Sequence, residues 1–300
     1  MKNPLAAAAA AVTVLLWASS FVAIRHVGND LSAGPMALAR LLVGSVLLGA
    51  FLLLRPAEQR WHRPVRRDWP PLLACGLLWF GAYNVALNAA ERRVDAGTAA
   101  MLVHIAPLLI AVLAGLTLGE GFPRQLVLGS AVAFGGVLLI GSSTSTGRAE
   151  IWGVVLCVAG AVSYAVGVVT QKPLLGRLPA AQVTWLACTI GTVACLPFAP
   201  GLVRELGTAG PAAIWWVVYL GAFPTALGFT TWAIALRHTT AGKMGATTYL
   251  VPMLAILMAW LLLGETPAGL AIAGGALCLV GVAVSRTRSR ARERVPAARA

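Results

Sequence analysis

Residues 105–120 read IAPLLIAVLAGLTLGE, and residues 250–265 read LVPMLAILMAWLLLGE. At an offset of 145, Pro107 falls on Pro252, Leu109 on Leu254, Ala114 on Ala259, Leu116 on Leu261 and Leu118 on Leu263. Gly119 and Glu120 fall on Gly264 and Glu265. The register runs on, with Gly129 meeting Gly274 and Gly136 meeting Gly281. A unit of this length fills half of a 300-residue chain, so the fold is built twice.

The repeated unit is too apolar for a soluble domain. Only 11% of residues are charged and 59% are hydrophobic, against about 25% charged in ordinary soluble domains. A membrane-crossing helix needs about 20 mostly apolar residues. The chain offers ten such stretches, near 5–24, 34–54, 70–90, 97–118, 125–142, 151–171, 180–199, 213–235, 243–263 and 266–284. The expected fold is therefore an all-α integral membrane protein with ten transmembrane helices. Five precede residue 143 and five follow it. An odd number per half turns the second copy over in the membrane, which predicts two inverted five-helix repeats. The expected divisions are 1–142 for the first repeat, 143–285 for the second and 286–300 for a basic tail. The connection at 142–147, SSTSTG, is small and polar as a surface linker should be.

A net charge of +13 suggests nucleic acid as a partner, but the charges do not form one patch. With the N-terminus inside, seventeen of the 23 Lys and Arg residues fall in internal segments and five in external ones, with Arg40 inside a span. Such an excess sets topology by the positive-inside rule. Both termini are expected in the cytoplasm, with membrane lipid and a small solute as partners and no nucleic acid. The basic tail is also suited to anionic lipid. Lys2 and the alanine-rich first span resemble a signal peptide, yet the apolar run is long for one and has a counterpart in the second half. Cys75, Cys157, Cys188, Cys195 and Cys278 lie in spans without metal-ligand spacing, so they read as packing residues. Neither a cofactor nor a metal is expected. Glycines 129, 135, 136, 269, 274, 275 and 281 give the fifth and tenth spans small-residue faces. They suit close helix packing within the bundle, with a dimer surface as the alternative; a monomer and a homodimer both remain open.

WASSFVAIR at 17–25, Pro35 with LARLL at 38–42, the doubled Pro…Leu-Gly-Glu segment and YLGAFPTAL at 219–227 together resemble the EamA family of the drug/metabolite transporter superfamily. The resemblance implies ten helices in two inverted repeats and passage of a small organic solute through a central cavity. It also implies export of amino acids or related metabolites from the cell, across the cytoplasmic membrane.

Polar groups deep in a bilayer are costly, so each is a functional candidate. All ten carboxylates lie in loops or at span ends. Proton coupling would fall to His104, mid-span and near neutral in its ordinary titration, or to a carboxylate reached from an edge. The other reading of His104 is a neutral hydrogen-bonding residue. Arg40 suits a solute carboxylate or phosphate, although a structural role is favoured. Phe80, Asn84, Asn88 and Glu91 share one face of the third span, bordered by Tyr83. On the sixth span lie Tyr164 and Gln171. The eighth carries Thr225, Phe229 and Trp232, and the ninth Thr247, Thr248 and Tyr249. Together with Trp17 and Ser20 of the first span, these groups predict a pocket of aromatic walls with a few hydroxyls, suited to an amphipathic solute. The expected solute-binding set is Trp17, Ser20, Tyr83, Asn84, Asn88, His104, Tyr164, Thr225, Trp232 and Tyr249. Pro107 and Pro252 each remove a backbone donor and are the candidate hinges for alternating access. Lys243 either draws an anion to the entrance or anchors topology, with the anchor favoured.

An embedded enzyme would need paired carboxylates, HExxH or a Ser/His set at one depth, and none is present. No GxxxxGK[ST] occurs either, so the chain carries no nucleotide-hydrolysing signature. A membrane scaffold or receptor is the remaining alternative to a transporter.

Overall fold

The computed structural model describes residues 3–28, 30–55, 61–94, 99, 102–144, 150–263 and 268–287. It is all-helical. We number the helices α1 (Pro4–Val27), α2 (Ala33–Leu53), α3 (Arg66–Ala90), α4 (Ala106–Thr117), α5 (Arg124–Thr144), α6 (Ile151–Leu174), α7 (Ala180–Leu206), α8 (Pro211–Arg237), α9 (Ala241–Thr247), α10 (Leu250–Leu263) and α11 (Gly269–Arg286). Among the described residues, nine stretches are long and apolar enough to cross a membrane, and α4 is a shorter apolar helix. At 1.5 Å per residue, a 21-residue helix such as α2 spans about 31 Å, the thickness of the hydrocarbon layer.

Two expected spans are interrupted. The stretch expected at 97–118 has turns at His104 and Ile105, and α4 starts only at Ala106. The stretch expected at 243–263 is broken at Thr248 and Tyr249, between α9 and α10. In each case the break lies just ahead of the proline. Proline lacks the N–H that would bond the carbonyl four residues back, here Val103 and Thr248. Pro107 and Pro252 therefore sit in the first turns of new helical segments and do not bend continuous helices. Glu265 and the 145–147 part of the linker lie outside the described residues, as does the tail beyond 287.

The interior of α3 is π-helical over Cys75–Ala82, and that of α8 over Gly221–Leu227. These segments sit at matching positions in the two halves. Each is packed by a helix from the opposite half, α7 on α3 and α2 on α8. The contacts match closely. A Cβ on Gly76 would lie 2.8 Å from Ala187 O, and one on Gly221 would lie 2.9 Å from Arg40 O. The tightest helix pair is α5 with α11. A Cβ on Gly129 would stand 2.5 Å from Gly281 O, and one on Gly281 2.5 Å from Gly129 O. Only glycine permits backbones this close. All five cysteines are free and buried.

Candidate functional site

The core between the halves is a cluster of aromatic rings. Trp17, in the middle of α1, stacks on Trp232 with centroids 5.0 Å apart. It meets Tyr164 edge-on at 6.4 Å and lies tilted against Phe229 at 5.2 Å. Trp79 stacks on Tyr164 at 5.2 Å, and Tyr83 lies 5.5 Å from the same ring. Each such pair contributes about 0.5–1.5 kcal/mol beyond simple burial, so the cluster is a mutually stabilised wall. Gly228 allows Trp17 to approach α8, where its Nε1 donates to Pro224 O at 3.3 Å.

A cavity of about 70 Å³ opens beside this wall. That is room for a few water molecules. Trp17 and Ser20 of α1 border it, as do Trp79, Tyr83 and Asn84 of α3. His104 enters from the break before α4 and Pro107 from the first turn of α4, Thr248 from the matching break before α10, and Arg40 from α2. The two interruptions thus bring loop-like backbone to the cavity, the setting in which broken helices are tolerated in a membrane.

The polar side chains are held individually. Ser20 Oγ donates to Trp17 O at 2.7 Å. Asn84 Nδ2 donates to Phe80 O at 2.8 Å and Trp79 O at 3.3 Å, at the end of the π-helical stretch. Arg40 is 6% exposed, and its Nε donates to Thr225 Oγ1 at 3.1 Å. Among the described residues Arg40 forms no ion pair. Its charge sits in an aromatic cavity with hydroxyl and amide groups nearby and within electrostatic reach of the Glu91 carboxylate, which is not in ion-pair contact with it.

Of the expected solute-binding residues, Trp17, Ser20, Tyr83, Asn84, His104 and Tyr164 border the cavity. Thr225, Trp232 and Tyr249 stand one layer behind it. Thr225 holds Arg40, Trp232 backs Trp17, and Tyr249 lies 6.5 Å from the His104 ring. Asn88 points elsewhere and ties α3 to α2 by donating to Ala33 O at 3.2 Å. The polar stripe expected through Phe80 is displaced. Phe80 packs on Phe229 at 4.4 Å and against Gly191, and the cavity face is Trp79, Tyr83, Asn84 and Leu87. The π-helical turn rotates the face, and a plain 3.6-residue period cannot anticipate it. Pro252 is buried but does not border the cavity, whereas Pro107 does. Arg40 borders it too, although the sequence favoured a structural role. Its depth within an apolar span was the available signal.

Known proteins resemble this chain along its whole length. The profile described as the EamA-like transporter family matches residues 4–142 and, separately, 151–287. A "Probable terminal-alkyne amino-acid exporter" of Streptantibioticus cattleyicolor is 38% identical over 296 residues, covering 98% of this chain and 97% of that protein. A "Probable amino-acid metabolite efflux pump" of Salmonella typhimurium is 28% identical, covering 92% of this chain and 93% of its own. One crystal structure superposes with a TM-score of 0.77 at 20% identity, over 94% of this chain and 96% of its own, which is a likeness of fold.

Proposed function

The chain belongs to the EamA-like transporter family, and on that premise we propose that it exports small amphipathic solutes bearing a carboxylate, amino acids or their close relatives. As a member of that family it is a multi-pass membrane protein and a transporter, not an enzyme. The observation that carries the solute class is Arg40. A guanidinium buried in an apolar span without an ion pair among the described residues is costly, and a solute carboxylate would supply the fork-shaped acceptor it suits. The rings of Trp17, Trp79 and Tyr164 would take the apolar part of the solute. Ser20, Tyr83, Asn84 and His104 offer hydrogen bonds around it, while Thr225, Trp232 and Tyr249 hold the bordering side chains and Asn88 holds α2 against α3. The printed names of the two amino-acid relatives agree with this class and with outward direction.

The mechanism we propose is alternating access between two inverted five-helix repeats, 1–142 and 143–285, ten spans in all. Its support is the matching pair of π-helical segments, the reciprocal glycine contacts and the twofold match of the family profile. The breaks ahead of Pro107 and Pro252 are the hinges. The excess of Lys and Arg in the segments read as internal supports a topology with both termini in the cytoplasm, and the reading takes the membrane to be the cytoplasmic one. The cavity is far smaller than the several hundred Å³ of an open ligand site, so solute entry requires these breaks to open.

The test is export from cells. Cells loaded with an apolar amino acid and expressing the chain should lose it faster than cells carrying an empty vector. Arg40→Gln at equal membrane abundance should fall to the vector rate. Equal export by wild type and Arg40→Gln would remove the carboxylate reading, and no export of any loaded amino acid would remove the solute class.

A further inference from the structure

A second cavity lies at the ends of α8 and α11, remote in character from the first. It measures about 100 Å³ and is bordered by His238, Thr239, Lys243, Thr247 and Arg286. Among the described residues, no carboxylate and no large apolar side chain borders it. Three basic side chains converge on it from three parts of the chain: His238 from the turn after α8, Lys243 from the first turn of α9 and Arg286 from the last turn of α11.

The side chains are arranged with donors to spare. Arg286 Nη2 donates to Thr247 Oγ1 at 2.8 Å. That hydroxyl in turn donates to Lys243 O at 2.9 Å, which pins the guanidinium over α9. One of the five guanidinium N–H donors is used there. The Lys243 ammonium forms no hydrogen bond or ion pair among the described residues. Behind the cavity, Lys172 Nζ donates to Leu236 O and Thr239 O, both at 2.6 Å, and adds a further positive charge. The nearby carboxylate of Glu120 is already engaged, accepting from Ala241 N at 2.6 Å and Gly242 N at 3.1 Å.

A topology anchor requires positive charge on one side of the membrane, not convergence of several cations on one cavity. Like charges brought together repel, and an anion between them reverses the sign of that energy. Donors approaching from three elements suit a tetrahedral oxyanion better than a planar carboxylate. We propose that the cavity bordered by His238, Lys243 and Arg286 is a binding site for a phosphate group, supplied by an anionic phospholipid headgroup or by free phosphate. Its place at the helix ends, on the side read as cytoplasmic, puts it at the level of lipid headgroups.

The purified full-length protein tests this in two arms. Thermal unfolding in detergent is followed with inorganic phosphate against chloride at equal ionic strength. Lipid binding is followed by native mass spectrometry with phosphatidylglycerol against phosphatidylcholine. The variants are Lys243→Gln, the double variant Lys243→Gln/Arg286→Gln, and Arg237→Gln as an exposed basic control outside the cavity. We expect a preference for the phosphate-bearing anion that Arg237→Gln keeps. Lys243→Gln should weaken it, and the double variant should weaken it about tenfold or more. Stabilisation by inorganic phosphate identifies a free-phosphate site, and a preference seen only with phosphatidylglycerol identifies a headgroup site. No preference in either arm, or equal weakening by Arg237→Gln and Lys243→Gln, would overturn the proposal.

Discussion

Gly135 and Gly136 are neighbours on α5, yet opposite results are expected when each becomes alanine. A Cβ on Gly136 would lie 2.5 Å from Gly274 O and 2.8 Å from Cys278 N, whereas one on Gly135 would meet only a Leu277 methyl at 3.7 Å. Ordinary contact begins at 3.4 Å, so Gly136→Ala must push α5 and α11 apart by 0.9 Å, the difference between 3.4 and 2.5. The obstructing atoms are backbone, and no rotamer change relieves them. A gap of that size forfeits about a quarter to a half of each dispersion contact along the seam, and overpacking of this kind costs about 1–3 kcal/mol. The gain in helix propensity returns about 1 kcal/mol. Gly136→Ala should therefore destabilise by up to about 2 kcal/mol, while Gly135→Ala should stabilise by up to about 1 kcal/mol. Thermal unfolding in one detergent should lower the midpoint of Gly136→Ala by up to about 4 °C and leave Gly135→Ala at or above wild type. Equal midpoints for the two variants would refute the close approach of α5 and α11.

Thr225→Val keeps shape but removes the acceptor of Arg40 Nε. It should cost about 1–3 kcal/mol of stability, read by thermal unfolding, and lower solute export without lowering membrane abundance. Gln171 is fully buried, and neither of its side-chain polar atoms has a hydrogen-bond partner among the described residues. Gln171→Met should therefore raise the unfolding midpoint, and a fall would show that the amide is bonded. His104 borders the cavity near the break before α4. His104→Gln should abolish any dependence of reconstituted flux on a pH gradient, and an unchanged dependence would place the proton elsewhere.

The spans were legible because their signal is local composition, and α5 and α11 were marked by their glycines. The π-helical segments were not legible, since a short stretch of wide turns has no residue signature. They displace Phe80 from the cavity face and bring Trp79 onto it. The prolines announced an irregularity, but its place, at His104 and Tyr249, depends on which turn breaks to release the freed carbonyl. The Arg40–Thr225 bond joins residues 185 positions apart, and the Arg286–Thr247 bond joins residues 39 apart. Such pairings come from the way the helices close on one another, and a one-dimensional pattern does not record them. Glu120 stood out in the sequence as part of the doubled Leu-Gly-Glu segment, and the structure shows its carboxylate bonded to the start of α9.

The most direct measurement is counterflow of a labelled apolar amino acid into proteoliposomes containing the purified protein, with the corresponding amino-acid amide as competitor. Saturable counterflow that the free acid inhibits and the amide does not, and that Arg40→Gln loses, is the predicted result. Counterflow inhibited equally by acid and amide, or none above that of protein-free liposomes with a folded preparation, would contradict a carboxylate-selective transporter.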